Sequence, residues 1–290
     1  MKYLPAISAI ALASITFFAQ AAEPLKINVV TAPETSFGVN ATLVTGDTEA
    51  MVIGTGFTRA DALRIAAAVL DSGKALKTIL ISDADADPDY YFGAEALQAL
   101  FPDAQVVATQ PVAQEIREHL QEKMKVWGPR LGANAPKRPV VPQVLPTTVL
   151  SVDGHSVEIR GTTGELANRP YVWIPSASAI TGNVALWSNL HVWTANTQTP
   201  AQRLAWLAQL DEMQALKPAL VVPGHMKVGD ALDERSIDFT RRYLQDFIAA
   251  IAEAKDSQAL SAALKKQYPD AGLPIALDIG AKVAKGEMAW

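Results

Sequence analysis

The sequence contains no cysteine among its 290 residues. Disulfide bonds, a thiol nucleophile and thiolate metal ligands are therefore excluded, so the fold must rest on its core, with or without a metal. Histidine is scarce too, with only four in the chain. The formal net charge of −5 gives no electrostatic basis for binding nucleic acid. Hydrophobic residues make up 49% of the chain, as is ordinary for a globular protein.

Long apolar runs are also missing, except for one close to the start of the chain. The run Leu4–Phe18 follows the positive charge of Lys2 and is too short to span a bilayer comfortably. An A-x-A pattern follows at Ala19–Ala21. Residues 1–21 are therefore predicted to be a secretory signal peptide, with an uncleaved N-terminal anchor as the alternative. We expect a periplasmic or secreted protein with no stable membrane span after cleavage, and with residues 22–290 as one domain.

The rest of the chain alternates short β-branched runs with helical patterns, and this alternation predicts an α/β protein whose sheets are covered by helices. Capping-box spacings at Thr58–Asp61 and Thr199–Gln202 predict two helix starts. The pattern ends in helices near the C-terminus. Residues 127–147 hold five prolines, which predicts no regular element there. Such a segment fits an active-site lid and a solvated connector equally well.

An unusual acidic stretch, ISDADADPDYYFG, spans residues 81–93 and places an aspartate at positions 83, 85, 87 and 89. Two carboxylates about 4 Å apart repel by roughly 4 kcal/mol at an effective dielectric near 20. Several clustered carboxylates must therefore bind a cation, share a proton or point into water. Three interpretations follow: a solvated acidic loop, an oxygen-rich metal site, or the ligand pocket of a protein that has lost catalytic activity.

Four landmarks of the sequence together resemble the metallo-β-lactamase-fold hydrolases. They are Val52–Gly56, residues 81–93, Gly182–Asn183 and Val221–His225, each at the end of a strand pattern. The family has an H-x-H-x-D-H motif that is followed by two residues and then a glycine. Later in the chain it has an aspartate that follows a glycine, and after that a glycine–histidine pair. The resemblance implies a four-layer αββα sandwich with a cleft at one edge. It also implies cleavage of an ester, lactone or amide bond by an activated water molecule.

The resemblance further implies a ligand set and a catalytic set, although most of the family's imidazoles are replaced. Aligned on Gly93, Asp89 matches the motif's aspartate and Tyr90 stands at its last histidine. Glu165 is the nearest counterpart of the family's middle histidine, and Asn183 replaces its bridging aspartate. The implied metal ligands are Asp85, Asp87, Asp89, Glu165, Asn183 and His225, with Asp83 as an alternative to Asp85 and Gly54 in place of the turn aspartate. The implied catalytic residues are Asp89, Tyr90 and His225.

These replacements alter the expected chemistry. The resemblance implies a divalent metal cofactor, namely zinc, manganese or iron. Carboxylate and amide oxygens favour magnesium, manganese, calcium or iron over zinc. Tyr90 could donate a hydrogen bond to an oxyanion. Two hypotheses remain open: a metal-dependent hydrolase of a small molecule, and a catalytically inactive exported binding protein. Both expect the site residues to converge on one cleft, with Asp89 close to His225.

Overall fold

The computed structural model describes residues 23–83 and 88–290. The predicted signal peptide at residues 1–21 lies outside these described residues, as do the predicted ligands Asp85 and Asp87. The described chain folds into a four-layer αββα sandwich, as the sequence predicted.

The first sheet has six strands, which follow one another in chain order across the sheet. Its first three strands pair antiparallel, and the later ones pair parallel. The strands are β1 (Lys26–Thr31), β2 (Asn40–Thr45), β3 (Glu49–Ile53), β4 (Ala75–Leu80), β5 (Gln105–Ala108) and β6 (Gln143–Val144).

Three helices cover the outer face of this sheet: α1 (Arg59–Ser72), α2 (Ala94–Leu100) and α3 (Gln110–Leu131). Helix α1 begins at the predicted capping box, in which Thr58 and Asp61 bond to each other's backbone N–H groups. Helix α3 corrects a prediction, because it continues through Trp127 and Pro129 into the segment predicted to be irregular. The indole of Trp127 packs edge-on against Phe57 at 5.1 Å, which holds the last turns of the helix despite the proline.

The second sheet has five strands in the order β12–β10–β9–β8–β7, and β11 and β13 form a separate two-stranded parallel sheet. These strands are β7 (Val149–Val152), β8 (His155–Arg160), β9 (Tyr171–Ile174), β10 (Ala179–Thr181), β11 (Trp187–Ser188), β12 (Leu220–Val221) and β13 (His225–Met226). Four helices cover the sheet: α4 (Pro200–Ala215), α5 (Arg235–Glu253), α6 (Ser257–Gln267) and α7 (Pro274–Ala284). Helix α4 begins at the second predicted capping box.

Apolar clusters fill each interface between the layers. Ile65 and Leu97 belong to the cluster between the first sheet and its helices. Met51 packs with Val172 between the two sheets, and Phe247 lies in the cluster beneath the second set of helices. Burial of these side chains supplies the main driving force for the fold. None of the helices in residues 23–83 and 88–290 has the length and apolar character needed to cross a membrane.

Candidate functional site

Several strand ends meet at one edge of the sandwich and are tied together by backbone hydrogen bonds. The N–H of Thr55, after β3, donates to the carbonyl of Tyr90 at 2.9 Å. The N–H of Asn40, at the start of β2, donates to the carbonyl of Gly224 at 2.9 Å. The edge therefore brings the end of the acidic stretch and the proline–glycine–histidine turn into one place.

His225 is held on three sides at this edge and is only 3% exposed. Its ring stacks on Trp187, with centroids 4.1 Å apart and planes 10° from parallel. Its Nδ1 lies 3.1 Å from the carbonyl oxygen of Phe37, and because a carbonyl can only accept, Nδ1 carries the proton. Burial lowers the pKa of His225 to about 4, while the hydrogen bond to Phe37 opposes that shift. The ring is therefore neutral near pH 7, with a lone pair on Nε2.

The lone pair of His225 faces Asp89, whose Oδ2 lies 3.4 Å from Nε2. Both side chains are 4% exposed. The acidic stretch and the distant imidazole therefore meet, as their motif positions predicted. The distance is longer than an ordinary N–H···O bond and short enough for both atoms to contact one shared ion at about 2.0–2.2 Å. A carboxylate this close favours a charged imidazole and so acts against the effect of burial.

Tyr90 lies next to this pair but its hydroxyl is engaged elsewhere. The hydroxyl donates to the backbone carbonyl of Asn183 at 3.1 Å. The edge of the ring meets His225, with centroids 5.6 Å apart, and the side chain is buried. A phenol has one proton to donate, so this hydroxyl is not directed at an oxyanion in this arrangement.

Asn183 is fully buried beside Tyr90, and its amide closes the turn that contains it. Its Oδ1 accepts from the N–H of Leu186 at 2.8 Å, and its Nδ2 donates to the carbonyl of Val222 at 3.1 Å. Both ends of the amide are thus used within the protein. The side chain ties the loop after β10 to the end of β12.

Glu165 is exposed in the loop between β8 and β9. Within the described part of the chain, its side chain makes no hydrogen bond or ion pair with Asp89 or His225. Asp83, the alternative first ligand, is fully buried just beyond β4. The structure therefore joins Asp89, His225, Tyr90 and Asn183 at one edge, whereas Glu165 is not joined to them.

A groove of about 1000 Å³ adjoins this site, and sequence analysis did not anticipate it. Residues of helix α3 and of the segment after α7 both line the groove. The ring of Phe37 lines the groove, while its carbonyl bonds His225. No sequence signal marks Phe37 or Trp187 as site residues, because one acts through its backbone and the other through stacking. The aromatic and cationic residues that line the groove include Phe37, Lys123, Trp127, Arg130, Trp193 and Trp290.

The sequence profile of the metallo-beta-lactamase superfamily matches residues 35–225. The chain belongs to this superfamily. A metallo-beta-lactamase family protein from Thermus thermophilus superposes with a TM-score of 0.63 at 17% identity, over 91% of this chain and 93% of that one. A metallo-beta-lactamase from Pontibacter korlensis gives a TM-score of 0.54 at 18% identity, over 78% of this chain and 97% of that one. At these identities the likeness shows the fold. No curated protein sequence matches the chain.

Members of this superfamily usually bind divalent metals such as zinc, so the donor atoms must be tested against that requirement. Asp89 and His225 offer one oxygen and one nitrogen at a suitable separation. Within residues 23–83 and 88–290, no group of three or more histidines and acids could hold a metal ion. Catalytic metal sites need about three protein ligands. The described donors therefore do not fit the superfamily's two-metal centre.

Proposed function

We propose that this protein is a small-molecule-binding member of the metallo-beta-lactamase superfamily and not a two-metal hydrolase. One observation carries the proposal: Tyr90 donates its hydroxyl proton to the carbonyl of Asn183, whose amide is itself bonded to backbone at both ends. Positions 90 and 183 correspond to metal ligands in the family resemblance. In this chain the two side chains hold the site edge together.

Recruiting these residues to a metal would cost stability. A neutral phenol is a poor ligand, and turning it away from Asn183 leaves a buried carbonyl unpaired. Turning the Asn183 amide would break two further bonds, each with a net contribution of about 0.5–1.5 kcal/mol. The groove offers a separate place for a ligand, since its volume lies within the usual range for small-molecule pockets. The apolar run and A-x-A pattern of residues 1–21 support export to the periplasm or beyond as part of this proposal.

The substitution Asn183→Asp tests the proposal directly. It replaces the Nδ2 donor with an oxygen 3.1 Å from the carbonyl of Val222, so we expect a loss of about 1–3 kcal/mol in the free energy of unfolding. If Asn183 were a metal ligand, a carboxylate there would instead strengthen metal binding. The measurement is urea unfolding, with EDTA and then with excess manganese or zinc.

The control for this test is Asn134→Asp, because Asn134 is exposed in the turn after α3. We expect it to change the unfolding free energy by less than about 0.5 kcal/mol. A metal-dependent gain in stability in Asn183→Asp that exceeds the gain in the parent protein would contradict the proposed function.

A second function, a hydrolase of an ester, lactone or amide that holds a single divalent cation, is favoured by the Asp89–His225 pair. A neutral His225 presents a lone pair to a carboxylate oxygen 3.4 Å away, and such a pair is stabilised by a proton or a cation between the two atoms. This function predicts about one bound metal per chain. It also predicts a rise in melting temperature with manganese or zinc that Asp89→Asn abolishes. Metal analysis and melting curves of both proteins decide between the two functions.

A further inference from the structure

Several large apolar side chains that the fold leaves exposed gather in the groove. Val126 is 41% exposed, Ile275 50%, Met288 39% and Trp290 41%, and all four line this one cavity. Exposed apolar residues that form a continuous patch usually mark a binding surface. Because this patch is concave and encloses about 1000 Å³, its shape suits a small molecule.

Two indoles of the groove are fixed by a shared partner. The Nε1 atoms of Trp193 and Trp290 both donate to Oδ1 of Asn196, at 3.0 and 2.7 Å. Their rings meet edge-on with centroids 5.3 Å apart. A third indole, that of Trp127, packs against Phe37 at 5.9 Å. Rigid aromatic walls of this kind give large contact area at little entropic cost.

The charged side chains of α3 that line the groove follow an order along the helix, with the acids before the cations. Glu115 and Glu122 flank His119, with nitrogen–oxygen distances of 3.5 and 3.7 Å. Nearer the end of the helix, Lys123 lies 5.7 Å from the centroid of Trp290, and the Arg130 guanidinium lies 5.1 Å from the centroid of Trp127. Within residues 23–83 and 88–290, neither cation forms an ion pair with a carboxylate. The two cations of the groove therefore lie at its aromatic end, while Glu115 and Glu122 also line the groove.

We propose that the groove binds a small amphipathic anion, namely a flat apolar ring system that carries a carboxylate or a similar acidic group. The rings lie against the indoles of Trp127 and Trp290, and the acid pairs with Lys123 and Arg130. This inference deepens the proposed function and rests on it, since it names the ligand class of the groove. A cationic ligand is disfavoured because the side chains of Lys123 and Arg130 already lie over these two indole rings.

The test compares three naphthalene derivatives of similar size by isothermal titration calorimetry: naphthoate, naphthylmethanol and naphthylmethylammonium. We expect naphthoate to bind roughly fivefold to tenfold more tightly than the alcohol at low ionic strength, because two cations line the groove and can attract its carboxylate. The ammonium compound should bind most weakly. The difference between the acid and the alcohol should shrink at about 500 mM salt, where charges more than a few ångströms apart are screened.

Variants assign the charge effect to particular side chains. Lys123→Met and Arg130→Met should each weaken naphthoate binding by roughly threefold to fivefold and leave the alcohol unaffected. Lys125→Met is the matched control, because Lys125 is exposed on the same helix and does not line the groove. Trp290→Ala should weaken the acid and the alcohol together, since it removes ring contact and not charge.

Three outcomes would overturn the inference: no binding of any of the three compounds, ammonium binding at least as tight as naphthoate, or unchanged naphthoate affinity in both methionine variants. These results are independent of the test of the proposed function. A catalytic cation on the Asp89–His225 pair would contradict the proposed function, and calorimetry would still decide the order of affinities in the groove. If that pair held no cation and the ammonium compound bound best, the proposed function would stand and only the ligand class would be wrong.

Discussion

The Asp89–His225 site and the groove are neighbours that share Phe37, yet they are built in opposite ways. At the site every side chain is buried and bonded within the protein, as with the amide of Asn183. In the groove Trp193 is buried, but Trp290 is 41% exposed and Lys123, Trp127 and Arg130 are all at least partly exposed. The fold has thus fixed one region by internal bonds and left the other able to meet a ligand.

Phe37 shows how the two regions are connected. Its carbonyl accepts the proton of His225, and its ring lines the groove beside Trp127. Its φ of 60° lies in the left-handed region, which is unfavourable for a large side chain and is maintained here by contacts on both sides. Phe37 therefore links the position of the His225 imidazole to one side of the groove.

We expect the largest loss of stability at the closed site from a substitution of Gly224. A Cβ added there would lie 1.9 Å from the carbonyl oxygen of Asn183, so the methyl group cannot enter without separating Asn183 from Tyr90. We expect Gly224→Ala to lower the unfolding free energy by more than about 4 kcal/mol, or to prevent folding. Urea unfolding monitored by circular dichroism measures the loss.

Gly164→Ala provides the comparison for this prediction. Gly164 has φ +83° and open space around it, so alanine there suffers only backbone strain of about 1–2 kcal/mol. Equal losses in the two variants would show that the site edge is not closely packed, and the contrast between site and groove would then fail.

Two tryptophan substitutions compare the closed site with the open groove, and their expected losses of stability are smaller than the loss at Gly224. Trp187 is 1% exposed, stacks on His225, and donates from Nε1 to the carbonyl of Val184 at 2.8 Å. We expect Trp187→Ala to cost about 3–4 kcal/mol of unfolding free energy, and Trp290→Ala less than about 1 kcal/mol. Denaturant titration of both variants checks the difference. A similar cost at the two positions would contradict a closed site beside an open groove.

The parts of this fold that depend on local spacing could be predicted from the sequence. The capping boxes at Thr58 and Thr199 begin their helices as expected, since each needs residues only three positions apart. The meeting of Asp89 with His225 was also predictable, because both follow strand ends in a recognised order. The extension of α3 through Pro129 was not, because packing of Trp127 against distant aromatic rings overrides the local signal.

The chemistry of the site was less predictable than its position. The sequence pattern assigned Tyr90 and Asn183 to ligand positions, yet their partners are backbone groups of residues 183, 186 and 222. Every residue has backbone hydrogen-bonding groups, so a pattern of side chains cannot reveal which of these groups will bond to a given side chain. The groove could not be predicted from the sequence either, because its walls come from segments that are far apart in the chain.

A smaller effect than the losses expected for Gly224→Ala and Trp187→Ala is the pH dependence that the closed site imposes on stability. Burial holds the pKa of His225 at about 4, below its usual 6.5, so the unfolded chain takes up this proton first as the pH falls. Stability is therefore complete above pH 6.5 and is lost between pH 6.5 and 4, by at most about 1.4 kcal/mol per pH unit. We expect the parent protein to lose about 1–2 kcal/mol more than His225→Gln between about pH 7 and 5.

The pH prediction is measured by urea unfolding in EDTA, so that no cation competes for the lone pair on Nε2. His191 is buried with a pKa also lowered to about 4, so it contributes in the same direction in both proteins and cancels in the difference. The Asp89 carboxylate favours a proton on His225, and Asp89→Asn should therefore extend the loss to lower pH. An equal decline in the parent protein and His225→Gln would show that His225 accepts its proton without unfolding, and the site would then be as open to water as the groove.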